Sequence, residues 1–214
     1  MPGTKLIIFD LDGTVNDSSP GIMHCYRRTA ESYGVADVSE DAIRAGLCGP
    51  FFDNIMKILG LPAEKVPDAI HRYTEFYVKE GQSMARLFDG AAETIKELKN
   101  RGYKLGIATL MADLYAKGTL KNYGMLSLFD TVHGASLEVP LTKKDLLEMC
   151  LEDLGVGPEE CVLVGDGIDD HLAAKELGIP FIGATYGYQV DREYCEKNDS
   201  RYVNKISDLL RMFQ

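Results

Sequence analysis

Residues 5–14 read KLIIFDLDGT, a short apolar run that ends in two aspartates and a glycine. A run of this kind indicates a strand that is buried on both faces of a parallel sheet. Because side chains alternate along a strand, Asp10 and Asp12 share one face while Leu11 points away. Two neighbouring carboxylates repel each other, and a divalent metal ion is a common way to offset that repulsion. The stretch therefore predicts a buried strand that delivers an acidic pair to the edge of a sheet.

Composition limits the classes of protein that this chain can form. Its 214 residues suit one sizeable domain, or a core domain with a smaller insertion. A hydrophobic content of 45% beside 26% charged residues is typical of a soluble globular protein. The formal net charge of -10 disfavours nucleic acid and membrane surfaces as partners, whereas a small anion can still bind a site that carries its own cations.

The cysteines and the apolar runs predict where the protein resides. Five cysteines are scattered without a CxxC pair, which favours free thiols in a reducing compartment. No stretch approaches the roughly 20 apolar residues of a membrane span, and Asp10 interrupts the first apolar run. We therefore expect a cytoplasmic protein without a membrane segment.

Short apolar runs alternate with helical patterns along most of the chain. This alternation predicts an α/β fold with a doubly wound parallel sheet. Residues 16–82 break the pattern, because they contain several amphipathic stretches and no convincing strand. A connection of that length is unusual, so we predict a smaller all-α cap at 16–82, inserted after the first strand of a core domain formed by 1–15 and 83–214. The predicted strands cover 6–9, 105–108, 131–133, 162–164, 181–182 and 202–203, and the predicted cap helices cover 22–33, 40–45, 52–59 and 69–80.

A second apolar run ends in acidic residues at VLVGDGIDD, residues 162–170. Asp166, Asp169 and Asp170 lie where the next helix begins, and acidic residues there are often no more than helix caps. In a parallel sheet, however, ligands bind outside the carboxyl ends of the strands. Two strands that both end in carboxylates therefore indicate a shared site.

Two further segments offer groups that suit a phosphate. Thr109 ends the predicted strand in KLGIATL, and its hydroxyl can donate to a phosphate oxygen, although a structural role is the common one for such a residue. Thr142 and Asp145 have the spacing of a capping box, so a helix is expected to begin there. Lys143 extends the apolar stripe of that helix towards the sheet, while Lys144 falls nearer the solvated side.

Together these residues predict a metal centre. Asp10, Asp12, Asp166 and Asp170 would place up to four negative charges in one cleft, which calls for a cation such as Mg²⁺ beside Lys143. An EF-hand is disfavoured because Gly13 and Gly21 do not fit its spacing. No cluster of His and Cys suggests zinc, and the histidines, of which only His171 is near the proposed site, are expected to be surface or packing residues. A hairpin is disfavoured because no second strand follows at once.

The motifs resemble a known family. In order and spacing, FDLDGT at 9–14, Thr109, Lys143 and the GDxxxD run at 165–170 resemble the four motifs of the haloacid dehalogenase-like hydrolase superfamily. GYKLGIAT at 102–109 and LAAKELGIPFIGATYGY at 172–188 are similar to its phosphoglycolate phosphatase-like branch. The helical insertion resembles the small cap of that family, and the core is expected to be Rossmann-like.

The resemblance implies a role for each motif. Asp10 would attack phosphorus to form an aspartyl-phosphate, and Asp12 would act as general acid and then general base. Mg²⁺ would be held by Asp10, the backbone carbonyl of Asp12 and Asp166, with either Asp170 alone or Asp170 together with Asp169 orienting the metal shell from further out. Thr109 and Lys143 would bind phosphoryl oxygens. Leu110 stands where relatives often carry a polar residue, so it would offer only its backbone N–H.

The implied function is hydrolysis of a small phosphomonoester, such as phosphoglycolate or another phosphorylated metabolite. An acid at position 12 favours phosphoryl transfer over dehalogenation, because a halide leaves without a proton. Substrate choice would fall to the cap around Gly49 and Phe52, although Phe51 and Phe52 equally suit the cap's own core. A sugar-phosphate mutase of the same fold and a phospho-acceptor domain without turnover are the alternatives. Either a monomer or a homodimer is compatible with the sequence.

Overall fold

The computed structural model describes residues 3–36, 38–48, 51–136 and 139–214. The chain divides into two compact units, one formed by Met1–Asn16 with Leu87–Gln214 and the other by Asp17–Arg86. Because each unit packs around its own hydrophobic cluster, each is described by itself. The domain boundaries predicted from the sequence, and the role of the inserted residues as a cap, stay predictions.

The first unit is built on a parallel sheet with β1 at its centre. Every pair of neighbouring strands runs parallel, in the order β5-β4-β1-β6-β7-β8. This order confirms the predicted doubly wound sheet, because the chain moves outward from β1 first in one direction and then in the other. The strands of this sheet are β1 (Leu6–Phe9), β4 (Lys104–Ala112), β5 (Thr131–Ala135), β6 (Cys161–Gly165), β7 (Phe181–Ala184) and β8 (Arg201–Val203), and a separate pair is formed by β2 (Asn16–Asp17) and β3 (Arg86–Leu87).

Helices cover both faces of the sheet. All four residues of β1 are fully buried, and they alternate between two hydrophobic clusters. Ile7 and Phe9 pack in the cluster that contains α5, whereas Leu6 and Ile8 pack in the cluster that contains α7. An uninterrupted apolar strand is what burial on two faces requires. The helices of this unit are α5 (Ala91–Asn100), α6 (Asp113–Asn122), α7 (Lys143–Leu154), α8 (Ile168–Leu177), α9 (Arg192–Lys197) and α10 (Leu209–Met212).

The second unit is helical and has its own core. Tyr26, Ile43 and Ile55 are fully buried at its centre, and the Tyr73 ring lies 5.1 Å from the Tyr26 ring. The side chain of Ser39 accepts a hydrogen bond from the backbone of the first turn of α2, as is typical of a helix N-cap. Its helices are α1 (Ser19–Ser32), α2 (Glu40–Ala45), α3 (Phe51–Leu59) and α4 (Val66–Lys79). Across the described residues, no helix has both the length and the apolar character that spanning a bilayer requires.

The largest difference from the predicted strand boundaries is at the end of β4, and the sequence does not predict the short strands β2 and β3. We expected the second strand of the sheet to end at Thr109, but β4 continues to Ala112. Its partner explains the difference, because β5 pairs Gly134 with Thr109 and then Ala135 with Ala112 across an irregularity in register. The extra residues of the irregularity carry β4 beyond the position where the apolar pattern stops.

Asp130 links α5, β4 and β5 at the start of two strands. Its carboxylate accepts hydrogen bonds from the Lys99 ammonium at 2.6 Å and from the Leu105 backbone at 2.8 Å. Burial opposes ionisation of Asp130, but the bonds from Lys99 and Leu105 prevail and lower its pKa below its usual value of 3.8. The ionised carboxylate is therefore the form that stabilises the fold.

We expect Asp130→Asn to lower the free energy of unfolding at neutral pH by about 1 to 2 kcal/mol, because a charged hydrogen-bond acceptor is lost. A depressed pKa in the folded state contributes stability above the unfolded value and loses it as the pH falls. The gap between wild type and variant should therefore be complete above a pH of about 4 and narrow below it. Urea unfolding across this pH range measures the gap, with the exposed Asp199→Asn as control; a gap independent of pH would contradict the assignment.

Candidate active site

The carboxyl ends of β1 and β6 meet at the point where the sheet order reverses. β1 leads into Asp10, whose backbone N–H donates to Val164 O at 2.9 Å, and β6 leads into Asp166. Oxygens of Asp10, Asp166 and Asp170 lie within 4.8 Å of one another. In open α/β sheets this crevice is the usual place for a ligand. Residues from distant parts of the chain are thus brought together by strand order alone.

Lys143 lies between two members of this acidic group, Asp10 and Asp170. Its Nζ donates to Asp10 Oδ1 at 2.7 Å and to Ala108 O at 2.8 Å, and it lies 2.8 Å from Asp170 Oδ1. The contact with Asp170 is an ion pair outside hydrogen-bonding geometry. Lys143 is only 6% exposed, so the lysine is held by these partners and not by water.

Local sequence explains how Lys143 reaches the site. Thr142 and Asp145 form the predicted capping box, with the Thr142 backbone donating to Asp145 Oδ2 at 2.7 Å. The cap fixes the first turn of α7, so that Lys143 faces the sheet. The neighbouring Lys144 instead pairs with Glu176 at 2.6 Å on the surface.

Burial dominates the electrostatics of the acidic residues. The pKa of Asp10 is raised to about 7, because burial, together with the charges of Asp170 and Asp12, outweighs the opposing effect of Lys143. Burial and then the charges of Asp10 and Asp170 raise the pKa of Asp166 well above its usual range. Burial alone would lower the pKa of Lys143, but Asp10 and Asp170 together raise it. The lysine is therefore firmly cationic, and the carboxylates remain short of positive charge.

The Asp166 carboxylate is held at both oxygens. Thr14 Oγ1 donates to Oδ1 at 2.8 Å, and the Tyr188 backbone donates to Oδ2 at 2.8 Å. Gly13 has a φ of 83°, and a Cβ at that position would lie 2.2 Å from Asp166 Oδ2. Glycine is therefore required after Asp12 both for the turn and for the close approach of Asp166.

Asp12 is held by a different partner. Asn16 Nδ2 donates to Asp12 Oδ1 at 2.9 Å, and the Tyr123 hydroxyl donates to Asn16 Oδ1 at 2.7 Å. The side chain of Asp12 is not part of the cluster formed by Asp10, Asp166 and Asp170. Its separate hydrogen bonding is consistent with a role different from that of the other acids.

Thr109 and Leu110 offer different groups along β4. Thr109 is buried, and its Oγ1 accepts a hydrogen bond from the Met111 backbone at 3.1 Å, so the hydroxyl keeps its own proton for donation. The Leu110 side chain is 47% exposed and carries no polar atom. Binding of a phosphate by these two residues stays a prediction.

The donor set fits a hard divalent cation. Two of the three carboxylates, Asp10 and Asp170, share one lysine, and the three carboxylates offer only oxygen ligands, which Mg²⁺ and similar ions prefer. Asp10 and Asp166 would hold such an ion. Asp170 is already engaged, because its Oδ2 accepts from the Gly167 backbone at 3.0 Å and its Oδ1 pairs with Lys143. Metal binding by Asp10, Asp12, Asp166 and Asp170 stays a prediction.

Several predicted residues lie elsewhere or cannot be placed. Gly49 lies outside the described residues. Phe52 is an exposed residue of α3, and the neighbouring Phe51 packs its ring 4.8 Å from Tyr73 in the core of the second unit. Asp169 is exposed. His171 is buried, with Nδ1 2.8 Å from the Tyr194 hydroxyl, which agrees with the expected packing role.

The residues that hold the carboxylates in place are not predicted by the sequence patterns. Thr14 belongs to the first motif without a role of its own, and no pattern assigns a role to Asn16, Tyr123 or Tyr188. The polar residue Asn16, two positions after the motif, is a usable signal, and it proves to be fully buried. The contribution of Tyr123 has no such signal, because it depends on a contact between residues that are 107 positions apart.

Fold and site together define a doubly wound α/β protein with a buried aspartate, lysine and acidic cluster at the switch point of its sheet. Residues 7–184 match the haloacid dehalogenase-like hydrolase family. The chain belongs to this family, which confirms the resemblance read from its motifs.

Comparisons with individual proteins agree with the family. The chain is 31% identical to a phosphoglycolate phosphatase of Vibrio cholerae, over 99% of this chain and 98% of that protein. It is 34% identical to the tyrosine-protein kinase PtkA of Mycobacterium tuberculosis over 86% of this chain, but the match spans only 63% of PtkA. The solved structure of a haloacid dehalogenase-like family protein from Streptococcus pneumoniae superposes with a TM-score of 0.92 at 29% identity, covering 100% of both chains.

We expect Mg²⁺ to stabilise the wild-type protein and to leave Asp166→Asn nearly unaffected, because the variant lacks a charged oxygen ligand. At about one hundred times the dissociation constant the stabilisation should be about 2.7 kcal/mol. Thermal unfolding with MgCl₂ and with EDTA measures the effect, and Asp199→Asn should respond like the wild type. An Asp166→Asn protein stabilised as strongly as the wild type would show that Asp166 does not hold the ion.

Proposed function

We propose that this protein is a Mg²⁺-dependent phosphatase that hydrolyses a small phosphomonoester through an aspartyl-phosphate at Asp10. The observation that carries the proposal is the Lys143 ammonium 2.7 Å from Asp10, with Asp166 beside them at the switch point of the sheet. A similar phosphatase in Vibrio cholerae, matched over nearly its whole length, supports the same activity. On the basis of that similarity, the proposal assigns a phosphatase reaction to this chain.

Asp10 is the nucleophile of the proposed reaction. One of its carboxylate oxygens forms a bond to phosphorus while the bond from phosphorus to the leaving oxygen breaks. Lys143 favours the ionised, nucleophilic form of Asp10 and attracts the phosphoryl group. The hydroxyl of Thr109 and the backbone N–H of Leu110 would donate to the phosphoryl oxygens. When bound by Asp10 and Asp166, Mg²⁺ supplies the positive charge that offsets repulsion between an anionic nucleophile and an anionic substrate.

Asp12 serves both halves of the reaction. In its neutral form it gives its proton to the leaving oxygen as the aspartyl-phosphate forms. The resulting carboxylate then takes a proton from the water that attacks the phosphorus, which releases phosphate and restores Asp10. An acid with its own hydrogen-bond partner, apart from the carboxylates around Lys143, suits this exchange.

The choice of substrate is proposed to depend on residues outside the core site. The proposed core contacts involve only the phosphoryl group, so selection of a phosphoglycolate-like or other metabolite phosphate is assigned to the inserted helical unit. The predicted involvement of Gly49 and Phe52 belongs to this proposal.

A second candidate is transfer of the phosphoryl group to an acceptor other than water. The likeness to PtkA favours it, because the name of that protein specifies a tyrosine kinase. Both reactions begin with attack by the same aspartate and differ in what accepts the phosphoryl group. Phosphorylation of a tyrosine peptide from ATP without matching release of phosphate would favour the kinase, and a sugar phosphate isomerised without release would favour a mutase.

We expect the wild-type protein to release phosphate from at least one member of a panel of metabolite phosphates and nitrophenyl phosphate, and only with Mg²⁺. Asp10→Asn should lower kcat/KM about a thousandfold or more, because the nucleophile is lost. Asp199→Asn is the matched control and should retain wild-type rates. No Mg²⁺-dependent release from any substrate, or an active Asp10→Asn variant, would refute the proposal.

We expect Asp12→Asn to accumulate phosphorylated protein when it is given a substrate with a good leaving group. Such a group departs without a proton, but asparagine cannot take a proton from the attacking water, so the second half of the reaction stalls. Intact-protein mass spectrometry after rapid mixing measures the added phosphoryl group, and the doubly substituted Asp10→Asn, Asp12→Asn protein should show none. An Asp12→Asn variant that turns over like the wild type would remove Asp12 from the mechanism.

A further inference from the structure

The loop after β1 closes on itself and brings Asn16 back beside Asp12. The Asn16 backbone donates to Leu11 O at 2.9 Å, and the Gly13 backbone donates to Asn16 O at 2.8 Å. Asn16 is fully buried, although its side chain is polar. A buried amide needs partners for both of its ends. The position of Asn16 is therefore set by the same turn that sets Asp12.

Asn16 is the middle of a chain of two hydrogen bonds in which each donor points towards Asp12. The Tyr123 hydroxyl donates to Asn16 Oδ1 at 2.7 Å, and Asn16 Nδ2 donates to Asp12 Oδ1 at 2.9 Å. A tyrosine hydroxyl that donates to the amide oxygen leaves the amide nitrogen facing the carboxylate. Tyr123 directly follows α6, so an element outside the catalytic motifs determines which way the Asn16 amide faces.

We propose that Asn16 and Tyr123 are positioning residues for proton transfer by Asp12, an inference that rests on the phosphatase function proposed above. An amide N–H bonds preferentially to the carbonyl oxygen of a neutral carboxyl group, because that oxygen is a stronger acceptor than the hydroxyl oxygen. The bond from Asn16 to Oδ1 therefore places the proton of neutral Asp12 on Oδ2. During phosphoenzyme formation that proton passes to the leaving oxygen, and Asp12 becomes a carboxylate.

The inference predicts that variants at Asn16 and Tyr123 lose kcat/KM to an extent that depends on the leaving group of the substrate. An alkyl phosphate needs its leaving oxygen protonated, whereas dinitrophenyl phosphate releases a stable phenolate without a proton. The ratio kcat/KM reports formation of the phosphoenzyme, the step in which the leaving group departs. A residue that acts only through Asp12 should therefore affect the alkyl phosphate and spare the dinitrophenyl ester.

The experiment compares Asn16→Ala and Tyr123→Phe with the wild type on dinitrophenyl phosphate and on the alkyl phosphate that the wild type hydrolyses fastest. We expect kcat/KM to fall about tenfold for the alkyl phosphate and less than about twofold for the dinitrophenyl ester. The tenfold loss is a fraction of the rate enhancement that general acid catalysis contributes as a whole. Tyr103→Phe is the matched control, because the Tyr103 ring packs 5.5 Å from Phe213 in the same unit. It should change neither value.

Other outcomes separate this inference from the proposed function. Equal losses on both substrates would assign Asn16 and Tyr123 a structural role and overturn the inference alone. An unchanged kcat/KM for the alkyl phosphate would overturn it as well, because the bond would then not assist Asp12. An increased kcat/KM would also overturn it, because the bond would then hold Asp12 in an unproductive orientation. A wild-type protein that releases no phosphate refutes the proposed function. If Asn16→Ala does not fold, Tyr123→Phe decides, because it keeps the ring and removes only the hydroxyl.

A double variant tests whether the two residues act as one chain. If Tyr123 works only by orienting the Asn16 amide, the loss in the double variant should equal the loss in Asn16→Ala for the alkyl phosphate. Losses that multiply would show that Tyr123 acts by a separate route and would overturn the proposed chain of hydrogen bonds.

Discussion

The site depends on one buried ammonium group that several acceptors share. Lys143 contacts Asp10, Asp170 and the carbonyl oxygen of Ala108, which together connect β1, β4, α7 and α8. Removing a charge from such a group is costly, because the remaining partners stay buried without compensation. The same ammonium therefore joins four elements of the fold and opposes protonation of Asp10, the proposed nucleophile.

The acidic residues around Lys143 are separated by their hydrogen-bond partners. Asp170 is engaged by the helix N-terminus and the lysine, Asp166 by Thr14 and Tyr188, and Asp12 by Asn16. Different neighbours stabilise different protonation states and orientations of identical side chains, which is what the different roles proposed for these aspartates require. The glycine at position 13 makes this separation possible, since a larger residue would occupy the space of the Asp166 carboxylate.

The sequence predicted the sheet and the acidic cluster because both leave local patterns. The apolar run before Asp10, the second run before Asp166 and the capping box at Thr142 each identify an element, and the choice of Lys143 over Lys144 agrees with the contacts of the two side chains. The end of β4 was misplaced, because its last residues are held by pairing with β5 and not by an apolar pattern. The links from Tyr123 and Tyr188 were missed for a similar reason, since contacts between distant residues leave no local signal.

The central position of β1 has a consequence for how the protein is made. This strand is synthesised first, but its two neighbours, β4 and β6, follow about one hundred and more than one hundred and fifty residues later. Until then this fully apolar strand has two unpaired edges, which are open to pairing with other chains. A nascent chain therefore carries an incomplete sheet until β6 has emerged, and early collapse of Ile7 and Phe9 onto α5 is the contact of the finished fold that can cover one face of the strand in the meantime.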